Sequence, residues 1–169
     1  MERFDRHGAF GRSPVVSLAT VDAAFISAGR SDWPWVAQRL IDLSLLAQQD
    51  LPQIDRLWWF GQLIANTDMH FGNLSFGLAA GASLPCLKLA PAYDMLPMRY
   101  APLAGGELPK QAAFTPALPL PAQRAGWDRA CAAGLVFWQR ASQDSRISDD
   151  FRRECQANAG ILQFAADRL

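Results

Sequence analysis

Residues 63–76 read Leu63-Ile-Ala-Asn-Thr-Asp-Met-His-Phe-Gly-Asn-Leu-Ser-Phe76, and the fold is read outward from this stretch. Just before it, the run Ile54 to Ala65 is apolar on nearly every side, with Leu57, Trp58, Trp59, Phe60 and Ile64. A helix that is apolar all round belongs in an interior. This run is therefore expected to be the central helix, opening near Asp50 and Gln53, which have capping-box spacing, with Pro52 allowed in its first turn. It delivers the polar cluster Asn66, Thr67, Asp68, His70 and Asn73 directly after its end. Beyond the cluster, Asn73 to Leu78 alternates weakly and reads as a strand. Ala79 to Pro85 carries the turn residues Gly81, Ser83 and Pro85, and Cys86 to Ala90 reads as the return strand.

The flanks are mostly helical. Trp33 to Gln48 is expected to be a helix, capped by Ser31 or Asp32, with Pro34 in its first turn and Val36, Leu40, Leu43 and Ala47 on one face. Ser17 to Ala28 reads as a short helix or turn, and Met1 to Arg6 as a short strand or linker. Eight of the eleven prolines lie between Pro85 and Pro121, so regular structure cannot run through that segment and a long irregular loop is expected. Trp127, Cys131, Gly134, Trp138 and Ala141 recur at helical spacing, as do Phe151, Cys155, Ala159, Leu162 and Ala166; Ser148 can cap the second of these helices, with Asp149 and Asp150 in its first turn. The expected fold is mostly α, of α+β class: one helical domain with a small inserted β-hairpin.

Composition narrows the function classes. The 169 residues are 50% apolar and 19% charged, enough for one sizeable core and inconsistent with a disordered tail. No apolar run reaches the roughly 18 residues a membrane helix needs. Sixteen basic residues balance sixteen acidic ones, which argues against a partner held by bulk charge, nucleic acid or anionic membrane. Trp58, Trp59, Trp127 and Trp138 fall on apolar helix faces and are expected in the core rather than on a base-stacking surface. Cys86, Cys131 and Cys155 form no CxxC pair, and a charged start without an apolar stretch carries no signal peptide, so a cytoplasmic location is expected. Fourteen of the sixteen basic residues are Arg; Lys88 and Lys110 are the only lysines.

The chemistry rests on Asp68 and Asn73, five residues apart, the spacing of the Asp and Asn in the D-x-x-x-x-N catalytic loop of kinases. There the Asp accepts the proton of a substrate hydroxyl and the Asn oxygen holds magnesium. A second hard oxygen ligand is then required. A hairpin turning near Gly81 or Ala82 returns opposite Asn73 near Ala90, which brings Asp94 close; Asp5 and Asp22 have no such route. The bland alternatives are that Asp68 terminates a helix or caps a turn, and that His70 is a structural, hydrogen-bonded residue rather than one that orients Asp68 or touches a phosphate. His7, beside Gly8, reads as loop.

The loop quoted above, followed by Leu89-Ala-Pro-Ala-Tyr-Asp94, resembles the carboxy-terminal lobe of the HipA-family serine/threonine kinases, with their T-D-x-H-x-x-N-x-S and L-x-P-x-Y-D segments. Glu2-Arg-Phe-Asp-Arg6 resembles that family's E-R-[FY]-D-R hinge strand, and Asp68-Met69-His70 with Tyr93-Asp-Met-Leu-Pro-Met98 is most similar to the YjjJ-type branch. The resemblance implies Asp68 as catalytic base, Asn73 and Asp94 as magnesium ligands, and His70, Phe71, Gly72 and Tyr93 along the ATP site. It also implies that Glu2, Arg3 and Phe4 meet the adenine, mostly through backbone.

It implies further an ATP- and magnesium-dependent transfer to a Ser or Thr of a protein substrate, within a toxin–antitoxin system that supplies an antitoxin partner. The family's amino-terminal lobe carries a Gly-rich loop and a phosphate-pairing lysine. Neither motif occurs in these 169 residues, and Lys88 and Lys110 do not fit that lysine's context. The chain is thus expected to act as a carboxy-terminal lobe over 1–169, with 1–6 as hinge remnant, and to bind ATP weakly without its amino-terminal partner lobe. Two other classes stand beside this one: a non-catalytic interaction domain of a toxin–antitoxin or regulatory protein, and a metal-dependent hydrolase using Asp68, His70 and Asp94.

Overall fold

A computed structural model describes residues 3–29, 32–79, 84–107 and 113–169. Glu2, the alternative cap Ser31, the turn residues Gly81, Ala82 and Ser83, and Lys110 lie outside the described residues. The chain divides into two compact units, one made of Met1–Trp58 with Met69–Asp94, the other of Trp59–Asp68 with Met95–Leu169.

The first unit opens on a two-stranded ribbon, β1 (Arg6–His7) and β2 (Gly11–Arg12), paired antiparallel. Strand β3 (Val15–Ser17) follows and leads straight into α1 (Leu18–Phe25), which Ser17 caps by accepting from the Thr20 N–H. Helix α2 (Trp33–Asp42) starts where Asp32 accepts from the Trp35 N–H, with Pro34 in its first turn. Strands β4 (Ser75–Leu78) and β5 (Leu87–Leu89) complete a three-stranded antiparallel sheet in the order β3-β4-β5. Leu18, Val36, Leu40, Ile54 and Phe76 are fully buried.

Four expectations change in this unit. The hairpin gains a third strand, β3, which three residues are too few to announce by alternation. The segment Phe71–Asn73 is a 3-10 turn, so the strand starts at Ser75 rather than Asn73. The register pairs Phe76 with Leu89 and Leu78 with Leu87, and the Ala90 N–H donates to the Ser75 carbonyl at 2.9 Å. Ala90 therefore stands opposite Ser75, two residues from the expected partner Asn73, because a one-residue shift in a turn's centre moves every pair by two.

Helix α2 also stops six residues short of Gln48. Ser44 takes a left-handed φ of 60°, its N–H returns to the Ile41 carbonyl and the Leu45 N–H to the Leu40 carbonyl, the two bonds of a Schellman ending. The chain then runs alongside β5: the Leu87 N–H donates to the Leu45 carbonyl, and Leu46 is buried in a parallel bridge to Leu87. Leu43 and Ala47 fit the helical period, but Leu43 is half exposed and Ala47 lies outside the helix.

A 3-10 turn (Gln48–Asp50) leads into α3 (Leu51–Leu63). Its last turn belongs to the second unit, with α4 (Arg124–Gln143) and α5 (Asp149–Ala166), which pack against each other. Ser148 caps α5 by accepting from the Phe151 N–H, and Arg152 and Arg153 pair with Asp149 and Asp150 on its exposed face. Gly134 sits where α4 passes closest: an added Cβ would lie 3.2 Å from Leu162 and 3.5 Å from Leu63. Trp127, Trp138, Cys155 and Leu162 are buried, as is Asn158, which the apolar pattern missed. Asn158 donates to the Tyr100 hydroxyl at 2.7 Å, and Tyr100 meets Trp138 and Phe151 edge-on.

Between β5 and α4 the described chain is irregular apart from short 3-10 turns. All six tryptophans are buried or half-buried. No helix among the described residues is long and apolar enough to cross a membrane.

Candidate functional site

Asp68 is placed by the way α3 ends. Ala65 takes a left-handed φ of 59°, its N–H returns to the Gln62 carbonyl, and the Asn66 N–H returns to the Gly61 carbonyl at 2.9 Å. This is a Schellman ending built on alanine, where glycine is usual. It turns the buried Asn66 so that its side-chain oxygen accepts the Asp68 N–H at 3.0 Å. The carbonyls left over at the helix end find partners too. Leu63 O accepts from the buried Trp138 indole at 3.0 Å, and Ala65 O accepts from the Arg99 N–H at 3.1 Å. Asp68 itself is half-buried.

Asn73 is placed by the 3-10 turn Phe71–Asn73. His70 caps this turn: its Nδ1 accepts the Gly72 N–H at 2.9 Å, so the neutral ring carries its proton on Nε2. The ring occupies the space of a Gly72 side chain, because an added Cβ would stand 2.8 Å from His70 Cε1 and 2.9 Å from Nδ1. The Asn73 N–H returns to the His70 carbonyl at 3.1 Å, and Asn73 is buried.

Tyr93 connects this turn to the segment carrying Asp94. Its hydroxyl donates to the Gly72 carbonyl at 2.6 Å and stands 2.6 Å from the Ser75 hydroxyl. A carbonyl can only accept, so the single phenolic proton goes to Gly72 and Ser75 must donate to the Tyr93 oxygen. Phe4 stacks on the Tyr93 ring, centroids 6.3 Å apart and planes 27° apart. Asp94 follows at once, exposed, with a left-handed φ of 56°, a conformation that Asp tolerates better than most residues.

Within the first unit the structure thus gathers Phe4, His70, Phe71, Gly72, Asn73 and Tyr93 and attaches Asp94 to them. Arg3 points elsewhere: it forms an exposed ion pair with Asp5 at 2.7 Å, which holds the Asp5 carboxyl below the usual carboxylate range. Asp22 serves the fold, its carboxylate accepting the Ala28 and Gly29 N–H groups after α1. Sequence reasoning did not single out Asn66 or Ser75. Ser75 stood in the motif as its last polar letter, and Asn66 opened the polar cluster; only the hydrogen bonds give them roles.

The donors fit magnesium. Asn73 supplies an amide oxygen and Asp94 a carboxylate, both hard ligands, and magnesium commonly keeps the rest of its octahedron for phosphate oxygens and water. No three His, Cys, Asp or Glu side chains gather as a metal cluster among the described residues. The thiols of Cys131 and Cys155 in the second unit are pushed up to about 11 by burial, so they stay protonated near neutral pH.

The class comes from the sequence as a whole: residues 1–159 match the HipA-like C-terminal domain family, to which this chain belongs. Among curated proteins it is similar to "Toxin YjjJ" of Escherichia coli K12, 44% identical over 155 residues. The match covers 92% of this chain and 34% of that protein, so the chain spans about a third of its relative's length.

Proposed function

We propose that this chain is the carboxy-terminal catalytic lobe of an ATP-dependent protein serine/threonine kinase of toxin–antitoxin type, cytoplasmic, and working with an amino-terminal lobe that grips the phosphates of ATP. Its other partners are a protein substrate and an antitoxin. The observation that carries the reading is the tether from Tyr93 to Gly72 and Ser75, which joins the segment of one candidate ligand, Asp94, to the turn of the other, Asn73. Membership of the HipA-like family supports it.

In this reading the Asp68 carboxylate accepts the proton of a Ser or Thr hydroxyl. The hydroxyl oxygen forms a bond to the γ-phosphorus as the bond to the β,γ-bridging oxygen breaks, and ADP leaves with that electron pair. Asn73 and Asp94 would hold magnesium, which neutralises phosphate charge when bound. Phe4 and its neighbours Glu2 and Arg3 offer backbone to the adenine, while His70, Phe71 and Gly72 line the approach. Positioning and charge neutralisation supply most of the catalysis, with the base adding about 10²–10⁴-fold.

The test is phosphate transfer from labelled ATP to protein, with the chain supplied with an amino-terminal lobe. Asp68→Asn is expected to lower transfer by about 10²-fold or more while nucleotide binding stays within about twofold of wild type. Nucleotide binding that is absent even with the second lobe present would overturn the kinase reading. A partner interaction untouched by both Asp68→Asn and Asp94→Asn, with no transfer in wild type, would establish a non-catalytic interaction domain instead.

A further inference from the structure

The resemblance places Tyr93 along the nucleotide site, but its hydrogen bonds point elsewhere. Its hydroxyl contacts run to Gly72, in the turn that carries Asn73, and to Ser75, at the start of β4. The peptide unit between Gly72 and Asn73 is pinned at both ends: its carbonyl accepts from the Tyr93 hydroxyl at 2.6 Å, and its N–H donates to the His70 carbonyl at 3.1 Å. A peptide plane held at both ends fixes the position of the Asn73 Cα, the point from which its side chain projects. The Gly72 N–H is held as well, by His70 Nδ1.

The hydroxyl pair is directional. Ser75 is buried, donates to Tyr93, and belongs to strand β4, so the Tyr93 oxygen is anchored on the sheet as well as on the turn. On the other side, Tyr93 is covalently joined to Asp94, whose left-handed backbone needs a fixed starting point. One side chain therefore holds both the turn from which Asn73 projects and the point where the Asp94 backbone begins. Phe4 stacks on the Tyr93 ring and packs it from one face.

We infer that Tyr93, with Ser75 as its hydroxyl partner, is a positioning residue for the metal ligands Asn73 and Asp94, acting on metal affinity rather than on nucleotide affinity. This rests on the proposed metal-binding role of Asn73 and Asp94. Removing the phenolic oxygen in Tyr93→Phe keeps the ring against Phe4 but frees the Gly72 carbonyl and strands the Ser75 hydroxyl. Ser75→Ala leaves the Tyr93–Gly72 bond in place and is the milder change.

The experiment titrates Mn²⁺ into the chain at fixed ADP, followed by electron paramagnetic resonance, and measures ADP binding separately in EDTA. Tyr93→Phe is expected to weaken Mn²⁺ binding about tenfold and Ser75→Ala about threefold, the size of losing one buried hydrogen bond and of weakening it. ADP binding in EDTA is expected to move less than about twofold in both. Hydrogen exchange at the Gly72 and Asn73 amides should rise in the same order, a readout independent of metal. Equal weakening of ADP in EDTA would make Tyr93 a nucleotide-contact residue and overturn the inference. So would Mn²⁺ binding that Asn73→Ala abolishes and Tyr93→Phe leaves unchanged. Wild-type Mn²⁺ binding that Asn73→Ala and Asp94→Asn both leave intact would instead remove the metal role of those residues, and the inference with it.

Discussion

The turn that carries Asp68 and the turn that carries Asn73 are five residues apart in sequence and are built on different principles. The first is an extension of a helix. Its shape comes from the Schellman ending of α3, from an Asn66 side chain that reaches two residues along, and from a Trp138 indole that closes the Leu63 carbonyl. The second owes nothing to a helix. It is a 3-10 turn clamped by its own histidine and by a tyrosine some twenty residues further on. In the proposed function, Asp68 as a proton acceptor would meet one hydroxyl, which the end of a stiff helix suits. Asn73 as a metal ligand would have to match Asp94 from another segment, and the Tyr93 tether joins those two segments.

Each turn is expected to fail through its own supports. The largest effect is expected for the helix-borne turn. Trp138→Ala empties the centre of an aromatic cluster, where Trp138 meets Tyr100, Phe114 and Phe137, and it leaves the Leu63 carbonyl without the indole. The expected cost is about 3–5 kcal/mol in chemical denaturation. In the part of the population that stays folded, hydrogen exchange should quicken first at Thr67 and Asp68. Equal or earlier exchange at Gly72 and Asn73 would break the separation of the two turns.

The tethered turn is tested more gently by Gly72→Ala. The new Cβ would stand 2.8–2.9 Å from the His70 ring, so the ring must swing away and the Gly72 N–H loses its acceptor. The expected cost is about 1–2 kcal/mol, a lost hydrogen bond plus local crowding. The NMR signals of the His70 ring should shift clearly while those of Thr67 and Asp68 hold. An unmoved His70 ring would mean that glycine is not required there.

How legible these turns were in the sequence follows the same division. The apolar run before Asn66 announced a buried helix, and the D-x-x-x-x-N spacing announced where chemistry begins. The exits were not legible. Ser44 has no glycine or proline beside it and Ala65 carries no turn signal, yet both take left-handed conformations, so the apolar period runs α2 on to Gln48 and α3 to Ala65. Leu43 and Ala47 kept the helical period past the true end, because a bridge between Leu46 and Leu87, a contact far apart in sequence, decides the path there. The hairpin register was missed by two residues for a similar reason: strand content is local, whereas register depends on turn geometry. Tyr93 could be found as a motif letter, but its bond to Gly72 spans 21 residues and follows from no pattern.

The smallest effect separates two uses of the same helix ending. Ser44 and Ala65 both sit at the left-handed position after a helix, where a side chain costs about 1–2 kcal/mol relative to glycine. Ser44 is exposed, so Ser44→Gly gives up little contact and is expected to stabilise the protein by about 0.5–1 kcal/mol, after the greater flexibility of glycine in the unfolded chain is subtracted. Ala65 is buried, and Ala65→Gly surrenders a methyl group worth about 0.8 kcal/mol in addition. Its net change should lie within about 0.5 kcal/mol of zero, measured by urea denaturation of both variants side by side. The left-handed alanine is then held at little net cost by its buried methyl, which also keeps the chain stiff just before Asn66 and Asp68. An Ala65→Gly variant stabilised as much as Ser44→Gly would show that the methyl contributes nothing. The stiffness of the Asp68 turn would then rest on the Asn66, Trp138 and Arg99 hydrogen bonds alone.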